Sequence, residues 1–87
     1  RGQVLLELDA RTLESDLAQA RAALNEAQAG ASLAQANLRR AEPLAAGRYI
    51  SAGQIDELRA ARNQANARVA TARAALDAAQ LRRDFAE

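Results

Sequence analysis

Apolar residues along this chain follow two different periods. Residues 3–8 (QVLLEL) are short and apolar and predict a strand ending at Asp9. From there the period becomes helical. Leu13, Leu17, Ala20, Leu24, Ala27, Ala31, Ala34, Leu38, Ala41 and Ala45 succeed one another at alternating spacings of 4 and 3. This is an unbroken heptad seam, with Leu17, Leu24, Ala31 and Leu38 at a and Ala20, Ala27, Ala34 and Ala41 at d. Asp9 is the expected N-cap of that helix, since its carboxylate suits the free N–H groups of a first turn. Gly30 falls at g beside the seam, where a close approach of another backbone would account for a residue that weakens helices.

The first helix is expected over about 10–46, with Gly47 at its C′ position because glycine accepts positive φ there. Residues 47–50 form a tip, and Ser51 opens a second helix over about 51–83. Its start is signalled twice: Ser51 and Gln54 are spaced as a capping box, and Ile50 and Ile55 as a hydrophobic staple. The second seam reads Ile55, Leu58, Arg62, Ala65, Val69, Ala72, Leu76, Ala79, with Arg62 able to lay its stem along the seam and its head in water. Fraying is expected near Leu81–Arg83, and a further strand is predicted to begin near Phe85. Pro43 removes a helical N–H, which predicts a bend or early fraying near the tip. Two seams joined by about four residues must fold back on each other. The fold class is therefore all-α: a long antiparallel two-helix coiled-coil hairpin, with short strand remnants at both ends.

Composition narrows what such a hairpin can do. Of 87 residues 49% are hydrophobic, but 25 of these are Ala, which leaves little bulk for a globular core. His and Cys are absent, so imidazole bases, thiolates and the metal sites they build are excluded, and no cofactor is implied. Asp56 and Glu57 are expected in the first turn of helix 2, where negative charge would suit the helix dipole better than catalysis. Twelve Arg and eleven acidic residues are interspersed to a net charge of +1, and aromatics make up 2%, so nucleic acid is not an expected partner. No apolar run is long enough to span a membrane.

The residues then resemble a known arrangement. Gln3 to Asp9 (QVLLELD), a long Ala/Gln-rich hairpin, and Leu81 to Phe85 (LRRDF) are similar to the middle of periplasmic adaptor proteins, the membrane fusion proteins. In that family the hairpin is inserted between two halves of a lipoyl-like β-sandwich. The resemblance assigns residues 1–8 to the end of the first half, 9–83 to the hairpin and 84–87 to the start of the second half. Adaptors that dock on TolC-like outer-membrane channels carry Arg, Leu and Ser at spacings of 4 and 7, and Arg40, Leu44 and Ser51 stand at those spacings here. The segments 49–51 (YIS) and 65–67 (ANA) look closest to adaptors of resistance-nodulation-division (RND) multidrug pumps. One departure is Ala41, where the family often has Tyr.

The resemblance implies a non-enzymatic hairpin that bridges an inner-membrane efflux transporter to an outer-membrane channel, docking through its tip beside neighbouring adaptor protomers. It implies a periplasmic location, with an anchor to the inner membrane outside this chain and the transporter held by other domains. Each site residue also has a plainer reading. Ser51 is explained as a helix cap, and single exposed Leu residues are ordinary. Arg40 at c and Leu44 at g nevertheless continue, with Leu33 and Asn37, an off-seam stripe on the flank of helix 1 suited to channel docking or lateral contact. Alternatives are an adaptor for an ABC-type exporter or type I secretion system, or a structural coiled coil with no transport role. Sequence after Glu87 separates the last of these: an adaptor is expected to continue into a strand and an Arg-Ala-Pro-x-x-Gly-like turn.

Overall fold

A computed structural model describes the backbone of residues 2–86 and the side chains of residues 10–85. Two helices account for nearly all of it: α1, Gly2–Ala46, and α2, Ala52–Ala86. They lie against each other as an antiparallel hairpin measuring 70 × 14 × 13 Å. The long dimension follows from the rise of about 1.5 Å per residue over the 45 residues of α1.

The heptad pattern accounts for which side chains face inward. Every predicted seam residue from Leu13 to Ala45 and from Ile55 to Ala79 is buried or half-buried. Leu17 and Leu38 are the bulkiest fully buried side chains, at 1% and 2% exposure, joined by Leu24, Ala41, Ile55 and Ala79. Arg62 is half-buried at its a position, and its guanidinium donates to Asn63 Oδ1 at 3.0 and 3.2 Å. Away from the tip residue Ile50, the half-buried residues off the predicted seams are Gln35, Asn37, Gln80 and Arg83 among the described side chains. Arg83 is in fact the next seam position after Ala79, four residues on, and its Nη1 reaches Glu14 Oε1 across the hairpin at 3.6 Å.

Both ends differ from expectation. Strands were expected at 3–8 and from Phe85, but these stretches are helical among the described residues, and α2 does not fray at Leu81–Arg83. Arg1 and Glu87, the outermost residues of the two expected segments, lie outside the described residues. The physical reason is hydrogen bonding. A single strand leaves its backbone groups without partners, whereas a helix pairs them within the segment, and Gln, Leu and Glu are good helix formers. Asp9 is consequently inside α1 and does not cap it.

Two further expectations are narrowed. Of the bend or early fraying expected at Pro43, the fraying does not occur: α1 continues to Ala46, and the Pro43 carbonyl accepts from the Gly47 N–H at 3.0 Å. Gly30 is not needed for close approach within the hairpin, because a β-carbon there would have nothing within 4 Å.

Candidate functional site at the hairpin tip

The reversal between α1 and α2 is held by backbone bonds that can be read residue by residue. Tyr49 N–H donates to Leu44 O at 2.8 Å and Arg48 N–H donates to Ala45 O at 3.1 Å. These are the 6→1 and 5→2 bonds of a Schellman motif, with Gly47 as C-cap, Arg48 as C′ and Tyr49 as C″. The left-handed residue is accordingly Arg48, at φ 63°, and Gly47 has no positive φ. The expectation that Gly47 fills C′ is off by one position. The sequence cue for C′ was a glycine, but the bonds from Arg48 and Tyr49 decide the register.

Across the turn both predicted start signals are formed. Ser51 N–H donates to Gln54 Oε1 at 2.9 Å, and Gln54 N–H donates to Ser51 Oγ at 3.1 Å, a reciprocal capping box. Ile55 N–H then donates to Ser51 O at 3.2 Å to begin the helix. Ile50 packs with Ile55 in one apolar cluster that also holds Leu38, Ala41, Ala45 and Leu58. The cluster lies directly beneath the turn, so the tip is a braced end rather than a loose loop.

The sequence-predicted site residues sit on this support. Arg40 is exposed on α1. Its Nη2 donates to Asn37 Oδ1 at 2.7 Å, and its Nε lies 3.5 Å from the Ala36 carbonyl. The guanidinium is thus drawn back along the helix, with its remaining N–H groups free of any bond to α2. Leu44, one turn closer to the apex, is 45% exposed, and Leu33 at the far end of the stripe is 60% exposed. Ser51 is exposed on the other arm, its oxygen engaged by the cap. The fold therefore brings Arg40 and Asn37 into direct contact and puts Leu44 on the same flank. Ser51 contributes by fixing the turn.

Residue-type reasoning overlooked Tyr49. It is 82% exposed, and its ring lies over Gly47. The available signal was an aromatic residue between a glycine and a capping serine in a chain with only two aromatics. Chemically, the arrangement offers a fork of N–H donors, an aliphatic side chain and an aromatic ring at the end of a rod. Such groups are suited to contact with a protein surface. Among the described residues no group of acidic side chains gathers that could hold a metal ion. No described helix is long and apolar enough to cross a membrane.

Comparison with known proteins accords with this geometry. Residues 16–86 match the family model described as the RND MFP alpha-helical hairpin domain, MFP denoting membrane fusion protein. The chain is 35% identical over 80 residues to "Multidrug efflux pump subunit AcrA" of Escherichia coli strain K12, and equally to the protein of the same name in strain O157:H7. That alignment covers 92% of this chain but 20% of either relative, so the chain spans about a fifth of their length. No solved structure matches significantly. A braced two-helix rod whose sequence matches that model over both arms and the turn belongs to the hairpin-domain family of RND membrane fusion proteins.

Proposed function

We propose that this hairpin is the reaching arm of a non-enzymatic periplasmic adaptor. It bridges an inner-membrane RND-type transporter, held by parts outside this chain, to a TolC-like outer-membrane channel in multidrug efflux. Residues 1–8 and 84–87 lead into the two halves of a lipoyl-like sandwich at the base, and an anchor outside this chain holds the parent protein to the inner membrane. The tip docks on the channel through Arg40 and Leu44, with Ser51 setting the turn that presents them. Leu33 and the amide nitrogen of Asn37 face neighbouring adaptor protomers along the flank.

One observation carries the reading. Arg40 and Leu44, from the off-seam stripe predicted to face a partner, are exposed near the apex of a family-matched hairpin, and the Arg40 guanidinium is oriented by Asn37 with donors to spare. A planar, persistently charged fork suits carbonyls or carboxylates presented by a protein surface. The experiment uses the full-length protein in cells that lack their own adaptor. Arg40→Asp is expected to abolish drug resistance and channel cross-linking without changing adaptor abundance or helix content, because the side chain is exposed and its hydrogen bonds stay within α1. Arg40→Lys keeps the charge but loses the fork, and partial resistance is expected. Full resistance and cross-linking from the Arg40→Asp protein would remove the docking role from this residue.

A further inference from the structure

The turn places its glycine where the backbone has no use for one. Arg48 occupies the left-handed conformation at φ 63°, which glycine adopts without strain, while Gly47 beside it has no positive φ. A helix end selected only for stability would carry these two residues in the opposite order. What Gly47 does provide is space. A β-carbon on it would stand 2.9 Å from Tyr49 Cε2 and 3.0 Å from Tyr49 Cδ2. Gly47 is the seat of the Tyr49 ring.

The backbone that carries the ring is also tied down. The Tyr49 N–H is bonded to the Leu44 carbonyl at 2.8 Å, which links it to a residue of the docking stripe. Yet the side chain is 82% exposed, against 45% for Leu44. An oriented aromatic with few rotatable bonds loses little entropy on being buried by a partner, and Tyr and Arg are both enriched among residues that dominate binding. Strain accepted at Arg48 together with space reserved at Gly47 marks a local arrangement that folding alone does not require.

We infer that Tyr49, seated on Gly47, is a further binding contact of the tip. Its ring enters an apolar slot on the same channel surface that receives Arg40 and Leu44. This rests on the docking role proposed above. The occupant is the channel rather than a second hairpin because Tyr49 lies in the turn, beyond the ends of both helices, at the extremity of a 70 Å rod. Copies packed side by side would meet along the flanks, where Leu33 is exposed.

Two measurements on the full-length protein, in cells carrying their outer-membrane channel but no other adaptor, test the inference. In the first, Tyr49→p-benzoylphenylalanine is photolysed, and an adduct with the channel is expected; an adduct with a second adaptor instead would overturn the assignment. In the second, recovery of the channel with tagged adaptor is compared across variants. Tyr49→Ala and Gly47→Ala are each expected to lower recovery at least about tenfold, the scale of a dominant binding residue. The double variant should fall no further than either single one, because both remove the same ring placement. Tyr49→Phe should stay within about twofold, since the ring makes the contact. Gly47→Ala fits the backbone, so its helix content should equal that of the parent chain. Arg40→Asp is the reference. If it loses the channel while Tyr49→Ala and Gly47→Ala keep it, the inference fails and the docking reading stands. If Arg40→Asp itself keeps the channel, the docking reading fails and takes the inference with it.

Discussion

The tip and the middle of this hairpin obey the same heptad pattern and end up packed differently. Beneath the turn, Leu38, Ala41 and Ile55 are buried together, with Ala45, Ile50 and Leu58 packed around them. At mid-length the seam continues through Ala27, Ala31 and Ala34 on α1 and Ala65 and Ala72 on α2, and each of these is only half-buried. A shallow groove of about 930 Å³ opens there over Ala27, Gly30, Ala34, Ala65 and Ala72. Period sets which face turns inward, but side-chain volume sets how much is buried. An alanine seam offers one methyl per position, whereas fully burying a Leu contributes about 1.5–3 kcal/mol. The tip is consequently anchored by packing and capping together. The middle relies on its helical backbone and on what is buried to either side, which towards the base includes Leu17, Leu24 and Ala79.

The largest expected effect breaks the packed side of this comparison. Leu38→Asp puts a carboxylate into the tip cluster, where the side chain is 2% exposed, and should cost about 3–5 kcal/mol. Leu44→Asp, six residues on, places the same group on an exposed flank and should stay within about 0.5 kcal/mol. Urea melts of the two variants followed by circular dichroism read the difference directly. Equal midpoints would mean that the seam is misplaced.

The middle yields the next effect, of opposite sign. Gly30 is a helix-interior glycine whose missing β-carbon would touch nothing. Gly30→Ala should therefore stabilise the hairpin by about 1 kcal/mol, the propensity difference between the two residues. A destabilised Gly30→Ala protein would show that α2 approaches this position more closely than the groove indicates.

Legibility from sequence divides along the same line. The seams, the capping box and the staple were readable because each depends on residue type at fixed spacing, and Leu17, Leu38, Ser51, Gln54 and Ile55 all occupy the predicted roles. The ends were not. Leu5, Leu6 and Leu8 suit strand and helix alike, and only the presence of paired strands decides between them. The C′ residue was misplaced for a related reason, since glycine has two uses, positive φ and close approach, and Gly47 serves the second. Arg40, Leu44, Leu33 and Asn37 could be named as an off-seam stripe from spacing alone. That Asn37 holds the Arg40 guanidinium, and that Tyr49 stands on Gly47, depends on rotamers that no periodicity encodes.

A smaller gain tests the cap itself. Arg48→Gly relieves the left-handed strain of an L-residue while leaving both Schellman bonds in place, and should stabilise by about 0.5–1 kcal/mol after allowing for the greater freedom of glycine in the unfolded chain. Position 47 is already glycine and its φ is not positive, so it holds no such strain. A raised midpoint for Arg48→Gly in thermal melts is the expected signature. A neutral or destabilising Arg48→Gly would indicate that the Arg48 side chain contributes to the turn by contacts of its own.

The smallest effect lies at the base, where the hairpin is tied by charge. Arg83 Nη1 lies 3.6 Å from Glu14 Oε1, with the Glu14 side chain 61% exposed. Arg83 Nη2 also lies 3.5 Å from Asp84 Oδ1, so the cation divides its attraction between two acids. Pairs this open to water are worth well under about 1 kcal/mol, because solvent and salt screen them. Glu14→Gln should therefore shift stability by less than about 0.5 kcal/mol, and the difference should vanish as sodium chloride is raised toward about 1 M. The stem of Arg83 has a separate part to play. It occupies a seam position, and its Nε is buried without a hydrogen-bond partner, a donor whose desolvation offsets part of what the pair contributes. Arg83→Met keeps a long apolar stem, removes that buried donor and loses the pair. Stability equal to or above that of Glu14→Gln is the expected result, and its independence of salt is the decisive reading. A salt-sensitive Arg83→Met variant, or one much weaker than Glu14→Gln, would show that the charge rather than the stem joins α1 to α2 at this end.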